Sequence, residues 1–159
     1  MQIDFYVLMD VNKQQGLQWV CEWVEKYYLE QASIFIQTAT LQAAEYLDQL
    51  LWTYRDHTFI PHHLAHHEEK KPSSYEKAAN CFSPIHIGLS TPPLFQGIVF
   101  NLNSHLTLET TRYQRLIEIV FPDKDVQQLA RERYKQYQQQ NHAITTYKIN
   151  ASDLTHDKY

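Results

Sequence analysis

The chain has 159 residues, of which 43% are hydrophobic and 20% charged, and a formal charge of -4 with histidine neutral. That length suits one domain able to bury a core without metal or disulfide help. The negative balance argues against a general nucleic-acid binder, because phosphate affinity depends on Lys and Arg displacing counterions. Cys21 and Cys81 lie far apart with no CxxC partner, which fits a reducing cytoplasm better than a disulfide scaffold. Met1 to Phe5 has no basic n-region, so no signal peptide is read, and no run approaches the roughly 20 apolar residues a membrane span needs. Eleven Tyr, seven Phe and three Trp fill a core or populate a partner-binding surface.

Ile3 to Met9 is an apolar run rich in β-formers and reads as the first strand. Asp10-Val11-Asn12 turns the chain into a helix from about Gln14 to Glu30, with Leu17, Val20, Cys21, Val24 and Tyr28 at helical spacing and Trp19 and Trp23 widening the stripe. Ser33 to Gln37 is a second strand. Thr38 or Thr40 then caps a helix that runs to about Trp52 and buries Leu41, Ala44, Leu47 and Leu51. Strand, helix, strand, helix favours a parallel sheet.

From Tyr54 to Phe82 the pattern breaks down: His57 to His63 carries a short strand or turn, and Glu68 to Ser74 is a polar, Pro-interrupted loop. Ile85–Leu89, Gly97–Leu102 and Leu116–Val120 read as three further strands. Phe121-Pro122-Asp123 opens the best-defined helix, with Pro122 in its first turn and Asp123 and Asp125 at the positive end of its dipole. Val126, Leu129, Ala130, Tyr134 and Tyr137 form its apolar or mixed face. The helix fades over Gln138 to Asn141, Ala143 to Ile149 forms a last extended segment, and Asn150 to Tyr159 frays. The sum is a single α/β domain of about five strands and three or four helices.

Such a fold invites a nucleotide hypothesis, which the glycines oppose. Gly16, Gly88 and Gly97 are mutually distant, so neither a dinucleotide fingerprint nor a P-loop exists. His57, His62, His63, His66 and His67 fall close together, and neutral imidazoles are good Zn²⁺ ligands. No Cys joins them and Pro61 breaks the local helix, so the segment reads as a polar, His-rich surface loop. A metal-dependent enzyme using residues His57 to His67 is the rival reading. Ser90-Thr91 and Cys81 sit in no nucleophile elbow, so no reaction type follows from them.

Two segments carry binding chemistry. Arg131 and Lys135, four apart with Tyr134 alongside, share one helix face. Two cations beside an aromatic suit a peptide carboxylate, since Arg offers a bidentate fork and Lys a point charge; an ordinary solvated helix face has the same spacing. Trp52 ends a helix and Phe59 follows a polar turn, a pair that either anchors a partner's apolar side chains or closes the core beneath the loop.

The ordered landmarks resemble a known family. Phe5-Tyr6-Val7-Leu8, Leu51-Trp52, Phe59-Ile60-Pro61-His62, Pro84-Ile85-His86-Ile87, Ile98-Val99-Phe100-Asn101-Leu102, Leu116-Ile117-Glu118-Ile119-Val120 and Arg131-Glu132-Arg133-Tyr134-Lys135-Gln136-Tyr137 occur in the order found in the chi subunit of bacterial DNA polymerase III. The resemblance covers about Phe5 to Tyr137. It implies a Rossmann-like, three-layer α/β domain with a mostly parallel sheet and no nucleotide-binding loop, over residues 1–149, followed by a flexible tail at 150–159.

It also implies a non-catalytic replisome accessory, cytoplasmic and without cofactor, that reaches DNA only through other proteins. One surface would hold the psi subunit, which joins chi to the clamp loader; Trp52 and Phe59 match its aromatic positions, and a helicase partner would compete there. The other would bind the acidic C-terminal tail of single-stranded DNA-binding protein, with Arg131, Tyr134 and Lys135 at matching positions and Val120 as apolar lining. Gln127 departs from the pattern, standing where a Lys is often found in the family.

Overall fold

The computed structural model describes residues 1–55, 60–64, 84–91, 95–103 and 113–154. The elements run β1 (Gln2–Met9), α1 (Lys13–Leu29), β2 (Ile34–Gln37), α2 (Leu41–Thr53), β3 (His62–Leu64), β4 (Ile85–Gly88), β5 (Ile98–Asn101), β6 (Arg115–Val120), α3 (Lys124–Gln139), β7 (Ala143–Asn150) and α4 (Ala151–Leu154). Among these residues the strands form one seven-stranded sheet in the order β3-β4-β2-β5-β6-β1-β7. Every pairing in it is parallel. The expected α/β class and parallel sheet are observed, with more strands than the five counted from periodicity. The two extra strands, β3 and β7, are the sheet's edges, where short length in β3 and exposure of most side chains in β7 weaken the apolar signal that marks a strand.

Strand alternation divides the buried side chains between the two faces of the sheet. On one face Tyr6, Leu8, Ile34, Ile36, Ile98, Phe100, Ile117 and Ile119 pack with Leu17, Val20, Cys21 and Val24 of α1 and Ala44, Leu47 and Leu51 of α2. On the other, Ile3, Phe5, Phe35, Val99, Leu116 and Val120 pack with Ala130 and Tyr137 of α3. Central strands are thus covered on both sides, which is why they read as continuous apolar runs.

The turn from β1 into α1 is where a phosphate-binding loop would stand in a nucleotide-binding relative of this fold. Here Asn12 accepts from the Gln15 amide at 2.8 Å, and the Gln15 side chain accepts from the Asn12 amide at 3.3 Å. The capping box occupies amides that a phosphate would need. Gly97 has a different use: a Cβ there would fall 2.2 Å from the Ser33 carbonyl oxygen, so only glycine lets the start of β5 reach β2.

Several local expectations are corrected. Pro122 precedes the cap of α3 instead of occupying its first turn; Asp123 is the cap and its carboxylate accepts from the amides of Asp125 and Val126. The helix ends sharply, with Asn141 at φ 61° and the His142 amide donating to the Tyr137 carbonyl at 3.2 Å. An αL residue just past the helix satisfies its last carbonyls and turns the chain back to β7. Leu41 is 39% exposed, because it is the first residue of α2 and lies beyond the sheet that its successors cover. Strand β7 extends to Asn150 and α4 follows it over Ala151–Leu154.

Candidate functional site

The third helix carries the cationic segment, and what lies under it fixes which side chains face outward. Positions 126, 130, 133 and 137 repeat on one stripe, and of these Ala130, Arg133 and Tyr137 are buried. Arg133 lands in the core because Glu118, wholly buried in β6, meets it there. The Arg133 guanidinium donates to Glu118 Oε2 from Nη2 at 3.0 Å and from Nε at 3.3 Å. The Tyr137 hydroxyl donates to Oε1 at 2.8 Å, and the Asn101 amide nitrogen reaches both oxygens at 3.1 and 3.0 Å. Burial, with the Glu118 carboxylate beside it, pushes the Tyr137 hydroxyl well above the usual phenol range.

This network sets the rotation of α3 about its own axis. Arg131 and Lys135 consequently lie exposed, and neither has an ion-pair partner among the described residues. Tyr134 sits half-buried at the border, edge-on to Phe5 with ring centroids 5.4 Å apart. Val120, at the end of β6, is 2% exposed and shares the apolar cluster with Phe5, Val126 and Tyr134. It forms floor beneath the cations, while Tyr134 and the half-buried Val126 form the accessible apolar rim. Gln127 lies one turn before Arg131 and is also half-buried. Cationic fork, point charge and apolar rim therefore meet on one flank of one helix, as a terminal carboxylate beside an aromatic side chain requires.

Trp52 lies in the last turn of α2, 40% exposed. Phe59 lies outside the described residues, as do His57, His66 and His67. Of the His-rich segment, His62 is drawn inward with both ring nitrogens against oxygens of Ile60 and Asp48. His63 stands beside His86 with ring centroids 5.7 Å apart. Among the described residues no group of three or more His, Cys, Asp or Glu is disposed to hold a metal ion.

The Glu118 network went unassigned in the sequence. Two signals pointed to it: a lone carboxylate inside the apolar run Leu116–Val120, and an Arg at a position that the period of α3 places on its buried side. A separate concavity of about 560 Å³, lined by Tyr6, Trp23, Lys26, Tyr27, Glu30, Arg115 and Tyr147 among others, opens beside the C-terminal half of α1. Its Arg115 is tied to buried Asp4 at 3.0 Å, so Lys26 and Arg115 are matched there by Glu30 and Asp4 and the site carries no net charge.

The family model described as "DNA polymerase III chi subunit, HolC" matches residues 1–145. The chain belongs to the chi-subunit family of DNA polymerase III. It is 26% identical over 152 residues to the DNA polymerase III subunit chi of Pseudomonas aeruginosa, covering 93% of this chain and 96% of that one. Chi membership makes it an accessory subunit of the replication machinery.

Among solved structures, T4 UvsW is similar with a TM-score of 0.64 at 10% identity, over 94% of this chain and 41% of that one. Domain 2 of the DEAD-box helicase Mss116p, bound to an RNA duplex, gives 0.60 at 15% identity, over 94% of this chain and 66% of that one. The chi-family chain thus spans less than two thirds of either, and at such identity the likeness is one of fold alone. No helix among the described residues is long and apolar enough to cross a membrane.

Proposed function

We propose that this chi-family subunit is a non-catalytic, cytoplasmic adaptor with two peptide-binding surfaces, one for the acidic C-terminal tail of single-stranded DNA-binding protein and one for the psi subunit. The tail surface is Arg131, Tyr134 and Lys135 over the Val120 floor. The observation that carries it is the pairing on α3 of a buried, neutralised arginine, Arg133, with an exposed one, Arg131, that has no acid partner among the described residues. An exposed guanidinium beside an aromatic rim is poised to take a carboxylate from another chain. One such charge-assisted contact is worth about 1.5–3 kcal/mol and an aromatic anchor adds a comparable amount. After the entropic cost of association, affinity in the micromolar range that weakens with salt is expected.

The psi surface is Trp52 with Phe59, and a helicase would compete for it. Trp52 lies beside β3 and the tail surface beside β6, four strand positions away in the sheet order. At the usual strand spacing that is about 19 Å. Because α2 and α3 also cover opposite faces of the sheet, the two surfaces are separate, which is what a bridge between coated single-stranded DNA and the clamp loader needs.

Calorimetry with a tail peptide tests the first surface. Arg131→Ala should remove measurable binding while the urea midpoint stays unchanged, since the side chain is exposed and has no ion-pair partner among the described residues. Unaltered affinity would refute the assignment. For the second surface, Trp52→Ala should reduce co-purification with psi; full recovery of the complex would count against it.

A further inference from the structure

The concavity beside α1 is built from an aromatic series that neither surface above uses. Strand alternation puts Tyr6 and Tyr147 on one face of the sheet, where they are register partners on β1 and β7. Their rings stack 4.9 Å apart at 15°. Trp23 and Tyr27, one turn apart on α1, continue the series, with Trp23 5.4 Å from Tyr6 and 5.9 Å from Tyr27. Strand β7 is the edge of the sheet, and Tyr147 is 43% exposed there. All of these rings line the open space of about 560 Å³.

The polar groups around that space are rich in unused donors. Tyr6 is 6% exposed, yet its hydroxyl has no hydrogen-bond partner among the described residues, and neither has the Trp23 indole N–H. Arg115 spends Nη1 on Asp4 at 3.0 Å and on the Tyr27 hydroxyl at 3.3 Å, which leaves Nη2 and Nε without an acceptor among the described residues. Tyr and Trp side chains ordinarily find a partner for their polar ends when buried, so these ends point to a ligand. The charges balance: Lys26 and Glu30 are exposed and one turn apart on α1, and Arg115 is matched by Asp4. An anion therefore gains little here. A cation finds the Trp23 face already taken by Lys26, whose Nζ lies 4.6 Å from the ring centroid.

The ligand that fits is neutral, accepts hydrogen bonds and offers flat apolar rings. A proline-rich segment has that chemistry. Proline carries no backbone N–H, its carbonyls stay free in an extended polyproline helix, and such helices dock in aromatic-lined grooves. We propose that the groove between α1 and the β7 edge is a third binding surface, which takes a neutral, proline-rich segment of another protein. Tyr147 and Tyr27 supply ring faces, while the Tyr6 hydroxyl, the Trp23 indole and Arg115 donate to the segment's carbonyls. The surface is independent of the other two. The tail surface lies under α3 on the opposite face of the sheet, and Trp52 stands toward β3, at the far end of the strand order.

Titrating the whole ¹⁵N-labelled chain with an oligoproline peptide, blocked at both ends, tests this. Binding should saturate and move the Trp23 indole resonance while leaving the Arg131 amide in place. A blocked Gly-Ser peptide of equal length should not bind. Tyr6→Phe keeps the ring stack and removes only the hydroxyl, so affinity should fall about fivefold, the loss of one neutral hydrogen bond. Tyr147→Ala, on the exposed edge strand, should lower it about tenfold. In the unsubstituted protein, the absence of saturable shifts, equal binding of the Gly-Ser peptide, or displacement of oligoproline by the tail peptide would each overturn the inference. Tighter binding of oligothymidylate at the same resonances would assign the groove to nucleobases and overturn it too. So would oligoproline affinity left unchanged by both substitutions.

Discussion

The two faces of the sheet are held by different physics. Under α1 and α2 the buried contacts are overwhelmingly apolar, from Leu8, Val20 and Val24 to Leu47 and Phe100. Under α3 the apolar cluster surrounds a carboxylate that receives three side chains. Apolar burial is non-directional, so it fixes that a helix packs but only loosely how it is rotated. Hydrogen bonds to Glu118 are directional and fix rotation. The face that must present Arg131 and Tyr134 at a set angle is the one whose helix is tied to a wholly buried carboxylate. Opposite, the polar contacts lie nearer the surface: Arg115 joins buried Asp4 to Tyr27 of α1, and the exposed Trp52 stands beside His62, whose ring nitrogens lie against oxygens of Ile60 and Asp48.

Truncating each core tests this contrast most severely. Glu118→Ala leaves the Arg133 charge buried without its carboxylate and should cost about 3–5 kcal/mol in urea unfolding. Leu47→Ala, 1% exposed on the opposite face, should cost about 2–5 kcal/mol as a cavity. Their separation comes in binding. Glu118→Gln keeps oxygen and amide in place but loosens the charged grip, and should weaken tail-peptide affinity several-fold in a folded protein. The folded fraction of Leu47→Ala should bind as the natural chain does. Equal tail affinity in both would mean that the network stabilises α3 without orienting it.

Alkaline titration separates the faces more gently. Tyr137 is held neutral by burial and by Glu118, so its folded-state pKa is raised. An unfolded phenol ionises near pH 10. Above that range the unfolded chain binds fewer protons than the folded one, and stability falls as pH rises, by about 1.4 kcal/mol per pH unit for each such tyrosine. Tyr6, Tyr27 and Tyr54, on the α1 side, shift the same way, chiefly through burial. Tyr137→Phe should therefore lessen, not abolish, the alkaline slope of the urea midpoint. An unchanged slope would place the sensitivity wholly on the α1 face.

The contrast also explains what could be read without a structure. The apolar face was legible because its signal is a period: Leu17, Val20, Cys21 and Val24 announce α1, and Ile34 to Ile36 announce β2. The capping of α2 by Thr40, one of two threonines that suited it, followed from residue type; that of α3 by Asp123 did not, because Pro122 suggested a helix already begun. Glu118 and Arg133 were hidden because a charge in a sequence is taken for surface until its partner is known, and theirs is fifteen positions away. Strand β3 was ambiguous because three residues give no period, and Pro61 disguised its start. Arg131 and Lys135 were legible as a pair from spacing. Their lack of an ion-pair partner among the described residues was not, since the rotation of α3 is set by the contact of Arg133 with Glu118.

The smallest expected effect bears on the site itself. Gln127 precedes Arg131 by one turn, at the fourth position of α3, where the family resemblance leads one to expect a lysine. Gln127→Lys would add a third cation to that flank and should raise tail-peptide affinity a few-fold at low salt, the range of about 0.3–1 kcal/mol for an exposed charge pair. The gain should fade as ionic strength rises, because the contact is solvent-screened. A cation so near the helix N-terminus also opposes the dipole that Asp123 and Asp125 complement, at a cost of about 0.3–1 kcal/mol. Affinity and stability should thus move in opposite directions, measured by calorimetry and urea midpoint on one protein. A variant that gains stability without affinity would show that Gln127 is spaced for the core under α3 and not for the ligand above it.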